Sequence, residues 1–585
     1  MKNREMFLAT TAITDFWDFE SKLLLLGPWC LANKNNRQIK KDYFLIPSPW
    51  KPTNKIKEAA DYCYQIYKEL LPLVSKELNH IHDVSYPLRY WQILIGPWLL
   101  YFTIVLYDRY KRLENAVTLF PNLYTHALPL HLCDATSIDT YDFIGGKIDD
   151  DFYNFKLFSI IGHELIPRNI TEIHITSDTK TCRSNYRPNM KFKIFNFFMK
   201  SMFSKGRIML SDMYHLKNID RLLIKLKSGC EEIGFIDFFD KNDLFLNQTS
   251  FNEKLRGSIK FREAKDNFQQ LLYRVIPSAM PTCYLEGFKN YSNYIDSFKE
   301  IVKMKFLGSA VGWFFNEPLK FFAAKATLSN TKLIEFQHGG GYEVFLPKLI
   351  DAVALEKDLF YAWGTSSLNN EKIRHLPSPH LSRLKNTYLR KNDSLLFVGT
   401  GLTRYPFRFI TYLQPDDLPK YLEDKKIFLR NLNPAVKKCL LYRPYLPYDD
   451  DIMHIKHEFP DTKFLCNESL VAWMKKVKLV VIDHPHTSFL EALTINVPSV
   501  FYWDHEVYLM REEAEGYFDI LRKAGIVYKD PLSAAQKVNQ IDSNPMEWWR
   551  SEEVQYAISE FCKRYAHVEK DWLKIWVREL KDLTK

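Results

Sequence analysis

The chain has 585 residues, too many for one ordinary hydrophobic core, so two large domains with or without small additions are expected. Hydrophobic residues make up 46% and charged residues 26%, a globular balance that excludes a disordered or fibrous chain. A formal charge of +10, from 80 basic against 70 acidic residues, is too thinly spread to indicate nucleic acid, and the nine scattered cysteines lack any C-x-x-C pair, which argues for a reduced cytoplasm and against a structural metal.

In chain order, "MKNREMFLATTAITDFWDFE" has no uninterrupted apolar core behind its basic residues, so it reads as a first strand and not as a secretory signal. Asp15 and Asp18 follow that strand. "EAADYCYQIYKELLPLVSKEL" has the period of an amphipathic helix. The apolar run from Trp91 to Asp108 approaches membrane-span length, but Gly96 and Pro97 interrupt it and Arg89, Asp108 and Arg109 flank it, so a buried helix is expected. "TEIHITSD" alternates like a strand. The acid-free stretch from Lys180 to Arg207 interleaves basic and aromatic residues, a face suited to anionic lipid headgroups or simply to water. "PTCYLEGF" then brings a further carboxylate, Glu286.

"KLIEFQHGGGYEVF" sets His338 between a strand and three glycines, whose backbone is free to approach a ligand closely; Gly339 and Gly340 are the nearest candidates. The prolines and charges from His375 to Asp393 suggest a domain boundary, drawn at 385/386. Beyond it strands and helices alternate, as in a doubly wound α/β domain. "FVGTGLTRYP" supplies Gly399 and Gly401 but falls short of the G-x-G-x-x-G fingerprint, which disfavours a nicotinamide cofactor. Arg443, closing the strand "CLLYRPY", can fork onto phosphate or pair with Asp449 to Asp451.

The most informative stretch is "VVIDHPHTSFLEAL". An apolar parallel strand ends in His484, Pro485 and His486, and a helix then starts at Thr487 and Ser488 with its free amide groups aimed at the ligand edge of the sheet. Ser488 and Glu491 fit a capping box, but Glu491 is equally placed to take ligand hydroxyls such as ribose.

Taken together, "FLATTAITDFW", "LLLLGPWC", "YPLRYWQILIGPWL", "FQHGGGYEV", "YAWG", "FLEALTINVPSVFYWD" and "WWRSEEVQ" resemble, in order and over nearly the whole chain, a family of transferases encoded in bacterial surface-carbohydrate gene clusters. More distantly, the glycine-flanked histidine and the H-P followed by T-S-F-L-E-A-L resemble GT-B capsule and teichoic-acid transferases, and His484-Pro485 is similar to the HP motif of bacterial sialyltransferases and Kdo transferases. The resemblance implies a GT-B glycosyltransferase with two Rossmann-like α/β domains facing each other across a cleft. Residues 1–385 would form the acceptor side and 386–585 the nucleotide-sugar side, with the last helices crossing back. It implies no cofactor or metal, a nucleotide-sugar donor such as a CMP-activated acidic sugar, a glycan or lipid-linked glycan acceptor, and a cytoplasmic enzyme resting on the inner face of the membrane. His484, Thr487 and Ser488 would hold the donor phosphate. The base that deprotonates the acceptor hydroxyl is sought among His338, Asp15 and Glu286. A CDP-linked polyol-phosphate transferase and a non-catalytic glycan-binding subunit are the competing readings.

Overall fold

The computed structural model describes residues 6–32, 42–173, 206–229, 232–236, 249–261, 263–298, 304–347, 349–364, 370–445 and 450–585. Two compact units emerge: one comprises Met1–Asp212, Glu231–Leu333 and Thr403–Phe409, the other Met213–Cys230, Ile334–Leu402 and Ile410–Lys585. The stretch from His375 to Asp393 therefore lies inside the second unit. Most of the basic run Lys180–Arg207 lies outside the described residues, as does the end of "TEIHITSD", whose Thr171 and Glu172 belong to a strand.

In the first unit, β1 (Met6–Ala9), β2 (Lys22–Leu25), β3 (Tyr43–Leu45), β4 (Leu123–Ala127) and β5 (Ile170–Glu172) form a parallel sheet ordered β3-β2-β1-β4-β5. Phe7 sits opposite Leu23 on one side and Tyr124 on the other. The central strands are buried without polar alternation, as parallel strands covered on both faces must be. Three more strands, β6 (Ile208–Ser211), β7 (Ile233–Phe235) and β8 (Phe306–Ser309), run parallel in the order β7-β6-β8.

Helix α1 (Lys55–His82) packs along α2 (Leu88–Leu119), and α2 contains the long apolar run. Trp91, Leu94, Trp98, Phe102 and Leu106 are all buried, so α2 is a core helix, as expected. Its charged residues go inside as well. Asp108 takes Arg109 at 2.7 Å, Arg112 at 2.9 Å and the Trp50 indole N–H at 2.6 Å, a pairing that makes burial tolerable. Tyr405, from the short segment Thr403–Phe409, fills the same core. Its hydroxyl donates to Asp151 at 2.7 Å, its ring lies 5.0 Å from Trp29, and Arg109 donates to the carbonyl of Pro406 at 2.5 Å.

In the second unit, β9 (Lys332–Phe336, split from the first unit after Leu333) pairs in parallel with β10 (Leu359–Ala362), and β10 with β11 (Ile373–His375). The larger sheet contains β12 (Leu395–Val398), β13 (Leu440–Arg443), β14 (Lys463–Phe464), β15 (Leu479–Ile482), β16 (Ser499–Tyr502) and β17 (Val527–Tyr528), ordered β14-β13-β12-β15-β16-β17. In chain order that is 3-2-1-4-5-6, the doubly wound arrangement, with the order reversing between β12 and β15. Alternate residues feed separate cores: Leu396, Val398, Val480, Ile482 and Phe501 point to one face, and Leu395, Phe397, Leu479, Val481 and Val500 to the other. The protein is thus α/β with parallel sheets.

Candidate functional site

Ligands of doubly wound sheets bind outside the carboxyl ends of the strands where the order reverses, here beyond Val398 and Ile482. β15 ends at Asp483 and His484, both buried, and α3 (Thr487–Ile495) begins after Pro485 and His486. His486 is the N-cap and offers no side-chain cap; its carbonyl takes the Phe489 amide at 3.0 Å, which leaves the amides of Thr487 and Ser488 for another acceptor. His484 is held at both ring nitrogens: Nδ1 lies 3.0 Å from Asp483 Oδ1 and Nε2 lies 2.8 Å from Ser488 Oγ. With Nδ1–H donated to the carboxylate, Nε2 accepts from Ser488 while the ring is neutral and becomes a donor once it is charged. Neighbouring His486 is pushed down to about 3 by burial and then by the positive charge of His484.

The glycine loop after β9 docks on the same helix start. Gly340 N–H donates to Thr487 Oγ1 at 3.2 Å, and a Cβ at Gly340 would stand 3.1 Å from Leu490 Cδ1 and 3.3 Å from the Thr487 amide nitrogen, so a side chain there would press the loop away. His338 sits half-buried two residues earlier, with Nδ1 3.1 Å from Tyr342 Oη. The separately nominated His338, Gly339, Gly340, Thr487 and Ser488 therefore belong to one neighbourhood within the second unit.

Glu491 neither caps its helix nor faces open solvent. It accepts from His380 Nε2 at 2.6 Å, so the capping box suggested by the S-x-x-E spacing does not form: a partner from 111 residues away outcompetes the helix's own backbone. His380 stacks on His215, ring centroids 4.5 Å apart and 15° from parallel, and His215 Nε2 reaches the carbonyl of His338 at 3.3 Å. Burial, followed by the charge of His380, pushes His215 down to about 3. Arg383 fastens this group through Asp220 at 2.9 Å and the His215 carbonyl at 2.6 Å.

On the other side of the reversal point, Gly399 follows β12 above a fully buried lysine. A Cβ at Gly399 would lie 2.5 Å from Tyr442 Oη and 2.9 Å from Lys425 Nζ, so only glycine fits. Lys425 donates to Tyr442 Oη at 2.6 Å, lies 4.0 Å from the centre of the Tyr421 ring and stands 3.7 Å from Asp483 Oδ2. That carboxylate oxygen has no hydrogen-bond partner although buried, and neither has the buried hydroxyl of Tyr502 nearby. Gly401 abuts the Tyr445 ring. Arg443 is half-buried at the end of β13, donating to the Pro444 carbonyl at 2.5 Å with its Nε unpartnered; Asp449 lies outside the described residues.

Asp15 and Glu286 belong to the first unit. Asp15 is exposed in a short turn after β1, while neighbouring Asp18, which accepts from Tyr124, is held below the usual carboxylate range by that bond. Glu286 is clamped by Arg256 at 2.7 and 2.8 Å and also accepts from the Asn252 amide, both charged side chains being nearly fully buried. A carboxylate fixed in this way is a structural pin and cannot serve as a base. The sequence reading missed Asp483, Lys425, His380 and His215. Asp483 could have been found as the one polar residue ending the apolar strand "KLVVID"; the others carry no local signal.

Among the described residues no group of three or more His, Cys, Asp or Glu side chains is arranged to hold a metal ion. The model of the LIC12162 family transferases matches residues 6–580. No curated protein matches the chain. Among solved structures, MnaA of S. aureus in a co-structure with UDP aligns at 10% identity, TM-score 0.36, over 64% of this chain and 96% of that one. MurG of Acinetobacter baumannii aligns at 12% identity, TM-score 0.34, over 65% and 99%, and a glycosyltransferase from Rickettsia africae at 9% identity, TM-score 0.36, over 66% and 100%. Likenesses this low leave the fold to be argued from the strands themselves.

Proposed function

The chain belongs to the LIC12162 family of transferases, and from that premise we propose that it is a glycosyltransferase of surface-glycan synthesis, moving a sugar from a nucleotide-sugar donor to a glycan hydroxyl. The single observation that carries the reading is the join of β15 to α3, where His484, braced by Asp483 and bonded to Ser488, stands beside uncapped helix amides and the Gly340 loop. That arrangement suits a phosphate leaving group: helix amides and a histidine that becomes a donor when charged both favour negative charge developing on a departing nucleotide. In the reaction the sugar-to-phosphate C–O bond breaks, the acceptor oxygen bonds the anomeric carbon, and the acceptor proton passes to a base. His338, whose Nδ1 lies 3.1 Å from Tyr342 Oη, is our choice of base.

A CMP-activated acidic sugar such as Kdo remains our first choice of donor, with no cofactor beyond the donor itself. A cytoplasmic setting is consistent with the seven free cysteines among the described residues. Association with the inner membrane face through Lys180–Arg207 is part of the proposal and is tested by flotation with anionic vesicles, which salt should weaken. For the central reading, purified protein is incubated with CMP-, UDP- and CDP-linked donors, and free nucleotide and product are measured. Sugar-dependent nucleotide release that vanishes in His484→Ala is expected. Phosphorus in the newly formed linkage would replace sugar transfer by polyol-phosphate transfer.

A further inference from the structure

We infer that the first unit carries a carbohydrate-binding pocket of its own, formed by the segment after β3, the first turns of α1 and the C-terminal half of α2. The cavity measures about 460 Å³, within the roughly 300–1,000 Å³ of ordinary small-molecule sites. It lies beside the segment that follows β3, the edge strand of the first unit's parallel sheet.

One wall is aromatic. Tyr62 and Tyr107 lie 4.8 Å apart between ring centroids, and Trp50 lies 6.0 Å from Tyr107. Hydrogen bonds hold two of the rings from behind: the Tyr62 hydroxyl donates to Asp266 at 2.8 Å and the Trp50 indole to Asp108 at 2.6 Å. The rings pack on one another and do not enclose a hollow, so they form a wall and not the cage that a quaternary ammonium group needs.

The rest of the lining, one to two turns along the same faces of α1 and α2, is polar and of mixed sign. Lys111 and Glu114 form an ion pair, while the exposed side chains of Lys55 and Glu58 make no ion pair or hydrogen bond among the described residues. Two cations against two anions leave no net field to draw in a phosphate or an amine; what they offer is donors and acceptors side by side. A pyranose matches both surfaces, with an apolar C–H face to lie on the aromatic wall and hydroxyls that donate and accept at once. A nucleotide or a choline group matches only one. The inference rests on the proposed function in one respect, that the bound sugar would be part of the acceptor glycan.

The test uses the full-length protein and saturation-transfer NMR with lactose, N,N′-diacetylchitobiose and sialyllactose, alongside inorganic phosphate and choline. At least one sugar should bind in the millimolar range or tighter, and Lys55→Gln combined with Glu58→Gln should weaken it about tenfold without moving the thermal midpoint. Tyr62→Leu provides a second route to the same loss from the aromatic side. If no sugar binds, if phosphate or choline binds instead, or if neither variant weakens the bound sugar, the pocket assignment is overturned. Donor turnover with the same sugars offered as acceptors is read in parallel. Nucleotide release with no sugar binding removes the pocket alone, while sugar binding with no release from any donor supports the pocket and removes the transfer reading.

Discussion

Each unit buries a lysine beside a carboxylate, and the two sites are finished differently. In the first unit, Lys320 Nζ donates to the Leu94 carbonyl at 3.0 Å, Thr140 Oγ1 at 2.9 Å and Tyr284 Oη at 2.6 Å, and sits 2.7 Å from Glu317, which itself accepts from the Thr140 amide at 3.0 Å and from Tyr284 at 2.9 Å. The network is closed. In the second unit, Lys425 stands 3.7 Å from Asp483, and one oxygen of that carboxylate is left without a hydrogen bond. A closed network of this kind holds helices together, whereas the one beside His484 and the start of α3 leaves a carboxylate oxygen unsatisfied. Burial of charge alone therefore does not mark a functional site; under the proposed reading it is the incompleteness at the strand-order reversal that does.

The comparison can be broken most forcefully on the closed side. Glu317→Ala strips a fully buried ammonium of its counter-ion and should cost on the order of 3–5 kcal/mol of stability, measured by urea unfolding, with donor turnover per folded molecule retained. His484→Gln reverses the pattern: turnover should fall about 10²- to 10⁴-fold, while the unfolding midpoint moves little. Asp483→Asn sharpens the point, since it keeps the shape but no longer fixes His484 as an Nδ1–H donor to a negative group. Turnover should drop by about tenfold or more with a displaced pH optimum, and a pH–rate profile unchanged in shape would show that Asp483 serves packing only.

Acidity should weaken the second unit more gently. Burial pushes His215 and His486 down to about 3 from the ordinary histidine value of about 6.5. Between those values the unfolded chain binds more protons than the folded one, so stability falls as pH drops through that window. Thermal scans from neutral pH downward should show this loss, and His215→Asn should reduce its slope. The opposite pH dependence is expected at Glu335, whose buried carboxyl has no hydrogen-bond partner and is pushed up to about 8 by burial, against the nearby charge of Lys357. Its folded value lies above its unfolded one, so the wild type loses stability as pH rises toward 8, and Glu335→Gln should gain relative to it over the same range.

What could be read from the sequence was local. The β15–α3 join and the alternation from β12 onward are contiguous patterns whose physics acts within a dozen residues, and they took the expected form; Gly339 and Gly340 do not use the positive φ open to them, and their loop packs on the start of α3. Of the two roles open to Glu491 the cap failed because the S-x-x-E spacing carries no trace of His380, and Glu286 failed as a base because Arg256, 30 residues earlier, gives no sign of folding back onto it. Lys425 reads as one more charge on an amphipathic helix until the sheet beneath it is known.

Tyr405 has a consequence for the order in which the protein assembles. The chain switches between units five times, and the last return to the first unit is only seven residues long, yet it supplies a fully buried ring to that unit's core. On the ribosome, at roughly 5–20 residues per second, the amino-terminal half waits about 5–20 s for a piece encoded two thirds of the way along the message. A truncation after residue 385 would never receive it. The core of the first unit is therefore completed only once the chain has been made well into the second.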